Sequence, residues 1–307
     1  VMKEKKNTKA KRGSGVKKWS ILTAVFAILT VVSIVGTNIA LSAGQAINIF
    51  LKTDTYKIVD KGNGKEDTTY FESDFDSVEE LEENGKKVAE QLHTEGSVLL
   101  KNNGVLPLKK DAKVSTLSHS SVDMVTCGTG AADIDTSNAP TLKEALESRG
   151  VSVNSTLWDF YTKGAGKEYV RTPGKEANQE NQSGRAGWHI NEVPASAYTN
   201  EVKSSFAQYK DAAIVTISRI SGEGSDLAVD EFKDGKNVLS LTAEEQDMLK
   251  MAKSNFENVI VLINSTNALE CDFIDNEEYG IDAVLWIGYT GGWGLNGVAD
   301  ILVGNAN

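Results

Sequence analysis

Cysteine, histidine and proline are scarce here: the 307 residues include two Cys, three His and four Pro. Cys127 and Cys271 stand far apart and fit no metal-ligand spacing, and His93, His119 and His189 are scattered. The sequence therefore encodes no zinc ribbon and no His-rich metal centre. Two cysteines cannot build a disulfide framework, so either one Cys127–Cys271 bridge or two free thiols remains open. Positive charge is scarce too, outside one place. Residues 1–18 carry Lys3, Lys5, Lys6, Lys9, Lys11, Arg12, Lys17 and Lys18 against Glu4, a net of +7, which leaves −18 on the rest of a chain whose total is −11. An acidic body repels phosphates and has no basic face from which to release counterions, which excludes nucleic acid as a partner.

Charge of either sign is absent from residues 19–51, WSILTAVFAILTVVSIVGTNIALSAGQAINIFL. A run of this length is enough to cross a bilayer as a helix. Lysines before it and an acidic body after it put the tail inside and the body outside. The expected organisation is a basic cytoplasmic tail (1–18), a transmembrane or signal-anchor helix (19–43), a linker (44–76) and a folded body (77–307). A long signal peptide cut near Ala40-Leu41-Ser42 is the alternative, with a secreted body.

Within the body, amphipathic helices alternate with apolar strands. Ser77 with Glu80, Thr141 with Glu144, and Thr242 with Glu245 have the spacing of capping boxes that open helices. VSTLS (114–118), VSV (151–153), AAIVTI (212–217), VIVLIN (259–264) and AVLWI (283–287) read as strands. Continuously apolar strands between helices predict an α/β fold, a three-layer α/β/α sandwich on a largely parallel sheet. Residues 162–188 read as a long polar insertion at the surface. Ligands of such sheets bind at the carboxyl ends of the strands. The loops that leave there carry Cys127-Gly-Thr-Gly, Ser221-Gly-Glu-Gly, Asn264-Ser-Thr and GYTGGWG (288–294).

Three chemistries compete for that edge. Gly128-Thr-Gly130-Ala-Ala-Asp133 could cradle a nucleotide, but its third glycine is an Asp and no helix starts cleanly beside it. Trp286 and Trp293 could stack on sugar faces in a non-catalytic, membrane-tethered carbohydrate-binding module. The third is hydrolysis. Glu223 sits between Gly222 and Gly224, with Arg219 and Asp226 close in sequence. A glycine-flanked carboxyl group can be approached closely and partly desolvated, as a general acid requires. No cofactor motif accompanies it.

EGSVLLKNNGVLPLK (95–109), ISRISGEGSDL (217–227) and LWIGYTGGWGLNGVADILVG (285–304) together resemble glycoside hydrolase family 3, in its α/β sandwich domain. GTGAADIDTSNAPTLKEALESRGVSVNSTLWDFY (128–161) is similar to a subgroup in which the sandwich precedes the (β/α)₈ barrel. The resemblance implies a retaining, exo-acting β-glycosidase that cleaves β-glucosides or β-xylosides. It implies Glu223 as acid/base, with Ser221, Asp226 and Arg219 as substrate contacts beside it. Leu227 replaces an Arg common in other subgroups, and Gly291-Gly-Trp-Gly lacks a Glu that many members carry there. The family's nucleophile is an Asp of the barrel, and no barrel follows in this sequence. The expectation is therefore one part of a two-domain enzyme, inactive in isolation.

Overall fold

The computed structural model describes residues 9–51, 73–128, 130–132, 134–173, 188–223, 227 and 235–306. The chain divides into two compact units, 1–72 and 73–307.

The first unit is helical: α1 (Lys9–Ser42) is followed by α2 (Gly44–Leu51). Residues Gly15–Ser42, which contain an 18-residue window of mean hydropathy 2.2, form a helix long and apolar enough to cross a membrane. A helix satisfies its own backbone polar groups, as a hydrocarbon environment demands. Its start at Lys9 lies inside the expected tail, and α2 occupies the first part of the expected linker. The remaining connector, 52–72, lies outside the described residues.

The second unit contains α3 (Val78–Gly96), β1 (Val98–Asn102), β2 (Lys113–Leu117), α4 (Leu142–Glu147), β3 (Ser152–Val153), α5 (Ser155–Thr162), β4 (Thr172–Pro173), β5 (Trp188–His189), α6 (Asn200–Ser205), β6 (Ala212–Ser218), α7 (Ala243–Asn255), β7 (Val259–Asn264), β8 (Ala283–Trp286) and α8 (Gly294–Val303). Six strands make one sheet in the order β1-β8-β7-β6-β2-β3, parallel except for β1, which pairs antiparallel with β8 at the edge. Every residue of the central strands β6 and β7 is buried. Strand geometry sends alternate side chains to opposite faces. Val215, Ile217, Val261 and Ile263 pack with α5, α6 and α7 on one side. Ile214, Ile260, Leu262 and Leu285 pack with α4 and α8 on the other. The expected three-layer sandwich with a largely parallel sheet is what forms.

Helix starts follow the capping chemistry. Thr141 with Glu144, and Thr242 with Glu245, make complete reciprocal boxes. At α3, Ser77 accepts from the Glu80 amide, but Glu80 reaches back to the amide of Asp76 instead of Ser77. Helix α3 buries none of its own residues, and Leu81, Leu92, Val98, Leu99 and Leu100 along α3 and β1 are exposed. What holds α3 is its close approach to α8. A methyl group on Gly294 would overlap the His93 ring, and one on Gly297 would overlap the Glu90 carbonyl. Of the polar insertion, Thr172–Pro173 and Trp188–His189 pair as a short antiparallel ladder, while 174–187 lies outside the described residues.

Just beyond that ladder, Glu192 turns inward onto the end of β2. It is 4% exposed. Its carboxylate accepts from the Ser118 hydroxyl (2.5 Å) and from the backbone N–H groups of His119 (3.2 Å) and Val193 (2.7 Å). The Ser118 amide donates to the Tyr161 hydroxyl (3.0 Å), which in turn pairs with Tyr198 (2.6 Å). Burial pushes Glu192 from its ordinary 4.5 up to about 7, against the opposing pull of those three hydrogen bonds. A carboxyl group raised in the folded state binds a proton that the unfolded chain has released. Its contribution is therefore full below about pH 4.5 and is lost as pH rises toward 7, a span worth about 3 kcal/mol. Buried His119, whose pKa is lowered by desolvation, runs in the opposite sense, so the wild-type curve alone does not isolate Glu192. Glu192→Gln mimics the protonated acid, so the gap in unfolding free energy between variant and wild type should widen in the variant's favour from pH 4.5 to 7. Urea denaturation across that range measures it, and a constant gap would rule the coupling out.

Candidate active site at the carboxyl edge of the sheet

The parallel strands deliver four loops to one edge, and a single amide side chain ties three of them together. Asn264, at the end of β7, is fully buried. Its Nδ2 donates to Val125 O (2.9 Å) and Gly288 O (2.7 Å), and its Oδ1 accepts from Val125 N (2.7 Å) and Ser218 Oγ (2.9 Å). The loops after β2, β6 and β8 thus share one anchor. Gly291 N adds a bond to Thr126 O (2.7 Å) between the first and the last of them.

The loop after β6 begins with Arg219, which is 1% exposed. All five of its N–H donors are used. Nε bonds Val238 O, Nη1 bonds Ser218 O (2.7 Å) and Glu245 Oε1 (2.8 Å), and Nη2 bonds Ser240 O (2.7 Å) and Glu245 Oε2 (3.0 Å). This corrects the expectation that Arg219 contacts substrate: a guanidinium with no free donor and no exposed surface has nothing to offer a sugar. Its role is to pin the base of the loop. Ser221, also expected to meet substrate, gives its hydroxyl proton to Asn267 Oδ1 (2.5 Å). Its backbone is clamped by the Tyr289 hydroxyl, which accepts from Ser221 N (2.9 Å) and lies 3.2 Å from Ser221 O. Asn267 Nδ2 reaches the same hydroxyl (3.2 Å).

Past this clamp the chain emerges. Gly222 and Glu223 are exposed, with Glu223 in a turn. Glu223 Oε2 accepts the backbone N–H of Ala131 (2.8 Å), which draws the carboxylate toward the loop after β2. The close approach that the flanking glycines permit is realised on that same side. A Cβ added to Gly128 would lie 3.5 Å from both Gly222 Cα and Ser221 O. Asp226 lies outside the described residues.

The other two readings find little support in the geometry. Gly130–Ala132 is a 3₁₀ turn and offers no helix start to a phosphate. Trp286 donates its indole N–H to Ser265 O (2.6 Å) and packs on the core, and Lys86 caps the Trp293 ring at 4.7 Å. Neither ring is a free platform. Cys127 and Cys271 are not joined in a disulfide, and each is partly buried; no group of three or more His, Cys, Asp or Glu among the described residues is placed to hold a metal ion.

The model of the glycosyl hydrolase family 3 C-terminal domain matches residues 97–307. The chain belongs to glycosyl hydrolase family 3. Among relatives of this family 3 domain, a β-glucosidase of Ruminococcus albus is 29% identical over 222 residues, covering 71% of this chain and 21% of the relative. β-Glucosidase A of Butyrivibrio fibrisolvens is 30% identical over 256 residues, covering 74% of this chain and 29% of the relative. The chain thus spans less than a third of the length of either. β-Glucosidase 3B of Thermotoga neapolitana, solved in complex with α-D-glucose, superposes with a TM-score of 0.57 at 26% identity, covering 73% of this chain and 30% of that one. Among the described residues there is no (β/α)₈ barrel.

Sequence reasoning missed Asn264, Tyr289, Asn267 and Glu245. The first three lie in loops that were flagged, yet nothing in their spacing shows which side chain turns inward. Glu245 was visible only as the capping-box partner of Thr242.

Removing the Arg219 guanidinium would leave Glu245 as a buried, uncompensated charge, a change that typically costs about 3–5 kcal/mol. Arg219→Met should therefore lower unfolding free energy by that order in chemical denaturation. Arg219→Met combined with Glu245→Met should recover much of it. Wild-type stability in the single variant would show that the pair does not anchor the loop.

Proposed function

We propose that this chain is the acid/base-bearing part of a retaining, exo-acting β-glycosidase acting on β-glucosides or β-xylosides, with Glu223 as the proton donor. The observation that carries this is the contrast within one short loop. Arg219 is fixed by buried partners and Ser221 by partly buried ones, and Glu223 alone of the three projects from the carboxyl edge of a family 3 sandwich. A catalytic carboxyl group needs this combination of a rigid base and an accessible tip.

Retaining cleavage uses two carboxyl groups about 5–5.5 Å apart on opposite sides of the anomeric carbon. Glu223 protonates the departing glycosidic oxygen while the second carboxylate attacks the anomeric carbon. In the next step Glu223 takes a proton from the water that releases the sugar. Family resemblance assigns the second carboxylate to a barrel Asp, and the same barrel would cover the exposed face of Glu223 and withdraw it from bulk water. Asp226 is assigned to a substrate hydroxyl beside the acid. The three similar proteins named above are β-glucosidases by name, which favours a glucoside. A non-catalytic carbohydrate-binding module is the second reading, and the occupied Trp286 and Trp293 rings count against it in its original form.

In the enzyme containing both carboxylates, Glu223→Gln should slow hydrolysis of disaccharides by about 10²–10⁴-fold, the usual worth of a general acid. Activated aryl glycosides should lose less in the first step, and azide should restore turnover by replacing the missing base. Wild-type rates on disaccharides would dismiss the assignment.

The N-terminal helix is assigned as a single-pass anchor that holds the body on the extracytoplasmic side. The support is the +7 tail ahead of an uncharged segment whose greater part, as far as Ser42, folds as one apolar helix, arranged as orientation rules require. Alkaline carbonate washing of membranes from cells expressing the chain should leave it in the pellet. Recovery in the medium with a new N-terminus near Ser42 would establish the cleaved signal instead.

A further inference from the structure

A cleft of about 540 Å³ opens at the same edge of the sheet, beside the acid loop and not beneath Glu223. Its walls come from the loop after β2, the start of α4, and the short β4–β5 ladder that brackets the polar insertion. Asp123, Thr126, Thr141, Arg171, Trp188 and Ile220 are among the residues that line it. The size falls within the range of small-molecule sites.

The chemistry of the walls is mixed in a particular way. Trp188 contributes an indole that is only partly buried. Asp123 and Arg171 form an ion pair at 3.0 Å, with the Arg171 side chain 16% and the Asp123 side chain 41% exposed. The guanidinium is thus the buried, orienting partner, and the carboxylate remains accessible as an acceptor of fixed direction. Apolar Met124, Leu142, Ile220 and Leu295 also line it, and Thr141 spends its hydroxyl on the Glu144 cap. An aliphatic ligand would gain nothing from a held carboxylate. An anion would meet Asp123 within a chain of net charge −11. A neutral ring with apolar C–H faces and an equatorial belt of hydroxyls matches both features, because its face stacks on an indole while its edge donates to a carboxylate.

We infer that this cleft is a sugar-binding site, taking one neutral pyranose ring stacked on Trp188 with its hydroxyls directed to Asp123. The choice of a sugar as ligand rests on the glycosidase reading above, but the site and its residues are separate from the acid. The wall residue Gly128 packs against Gly222 of the acid loop, so the occupied cleft would hold a saccharide next to the catalytic edge without touching the reacting bond.

The test is direct titration of the full chain, held in a detergent without a sugar headgroup, with cellobiose and xylobiose, followed by tryptophan fluorescence and calorimetry. Saturable binding in the millimolar range is expected, weakened roughly tenfold or more by Trp188→Ala, as removal of a central aromatic contact typically does. Asp123→Asn should weaken it as well and serves as the second variant if Trp188→Ala does not fold. Glu223→Gln should leave this affinity as it is. Absence of saturable binding up to the solubility limit of the sugars, or wild-type affinity in folded Trp188→Ala or in Asp123→Asn, would overturn the inference. Either result leaves the acid assignment standing, since that depends on turnover and not on affinity.

Discussion

A guanidinium taken out of water must find an acceptor for every N–H it carries, and in this fold Arg219 finds all five. Two are on Glu245 at the start of α7, and the other three are backbone carbonyls at 218, 238 and 240. The pair is not a cheap source of stability, because desolvating two charges offsets most of what their attraction returns. What it supplies is position. The end of β6, the chain segment approaching α7, and α7 itself meet at one planar fork whose geometry admits little variation. The loop that starts there inherits a fixed origin.

The rest of the candidate site extends that origin outward by short steps. Asn264 joins three loops through four hydrogen bonds, and Tyr289 with Asn267 holds Ser221. Only then does the chain leave the interior, at Gly222 and Glu223. Exposure rises from a saturated buried cation at Arg219 to an exposed carboxylate at Glu223. A sandwich built this way presents an acid in a defined place but leaves it in water.

The architecture was legible because it rests on local chemistry. VIVLIN and AAIVTI are too uniformly apolar for anything but central strands, and the boxes at Thr141 and Thr242 open helices where their spacing says they should. Edge features were less legible. Strand β1 carries VLLKN with most of its side chains exposed, so no alternation marks it, and its antiparallel pairing with β8 depends on a partner nearly two hundred residues away. The exposed position of Glu223 was readable from the glycines around it. Arg219 was misread, since a charged residue two positions from an acid loop looks like part of the site until its distant partner Glu245 is known. Glu192 gave no signal at all. A lone carboxylate after a polar insertion looks solvated, and only the fold turns it under Ser118.

Helix α3 is the element of the sandwich that the chain reaches first after its connector, and it adds no buried side chain of its own. It stays in place through close approach to Gly294 and Gly297 and through His93, whose ring nitrogens lie 3.1 Å from Ala89 O and 2.9 Å from Tyr289 O. The seam between α3 and α8 is therefore one of close approach and hydrogen bonds, and not a hydrophobic plug. On the far side of the His93 contact lies Tyr289, the residue whose hydroxyl clamps Ser221. The docking of α3 and the set of the Glu223 loop thus share a single residue.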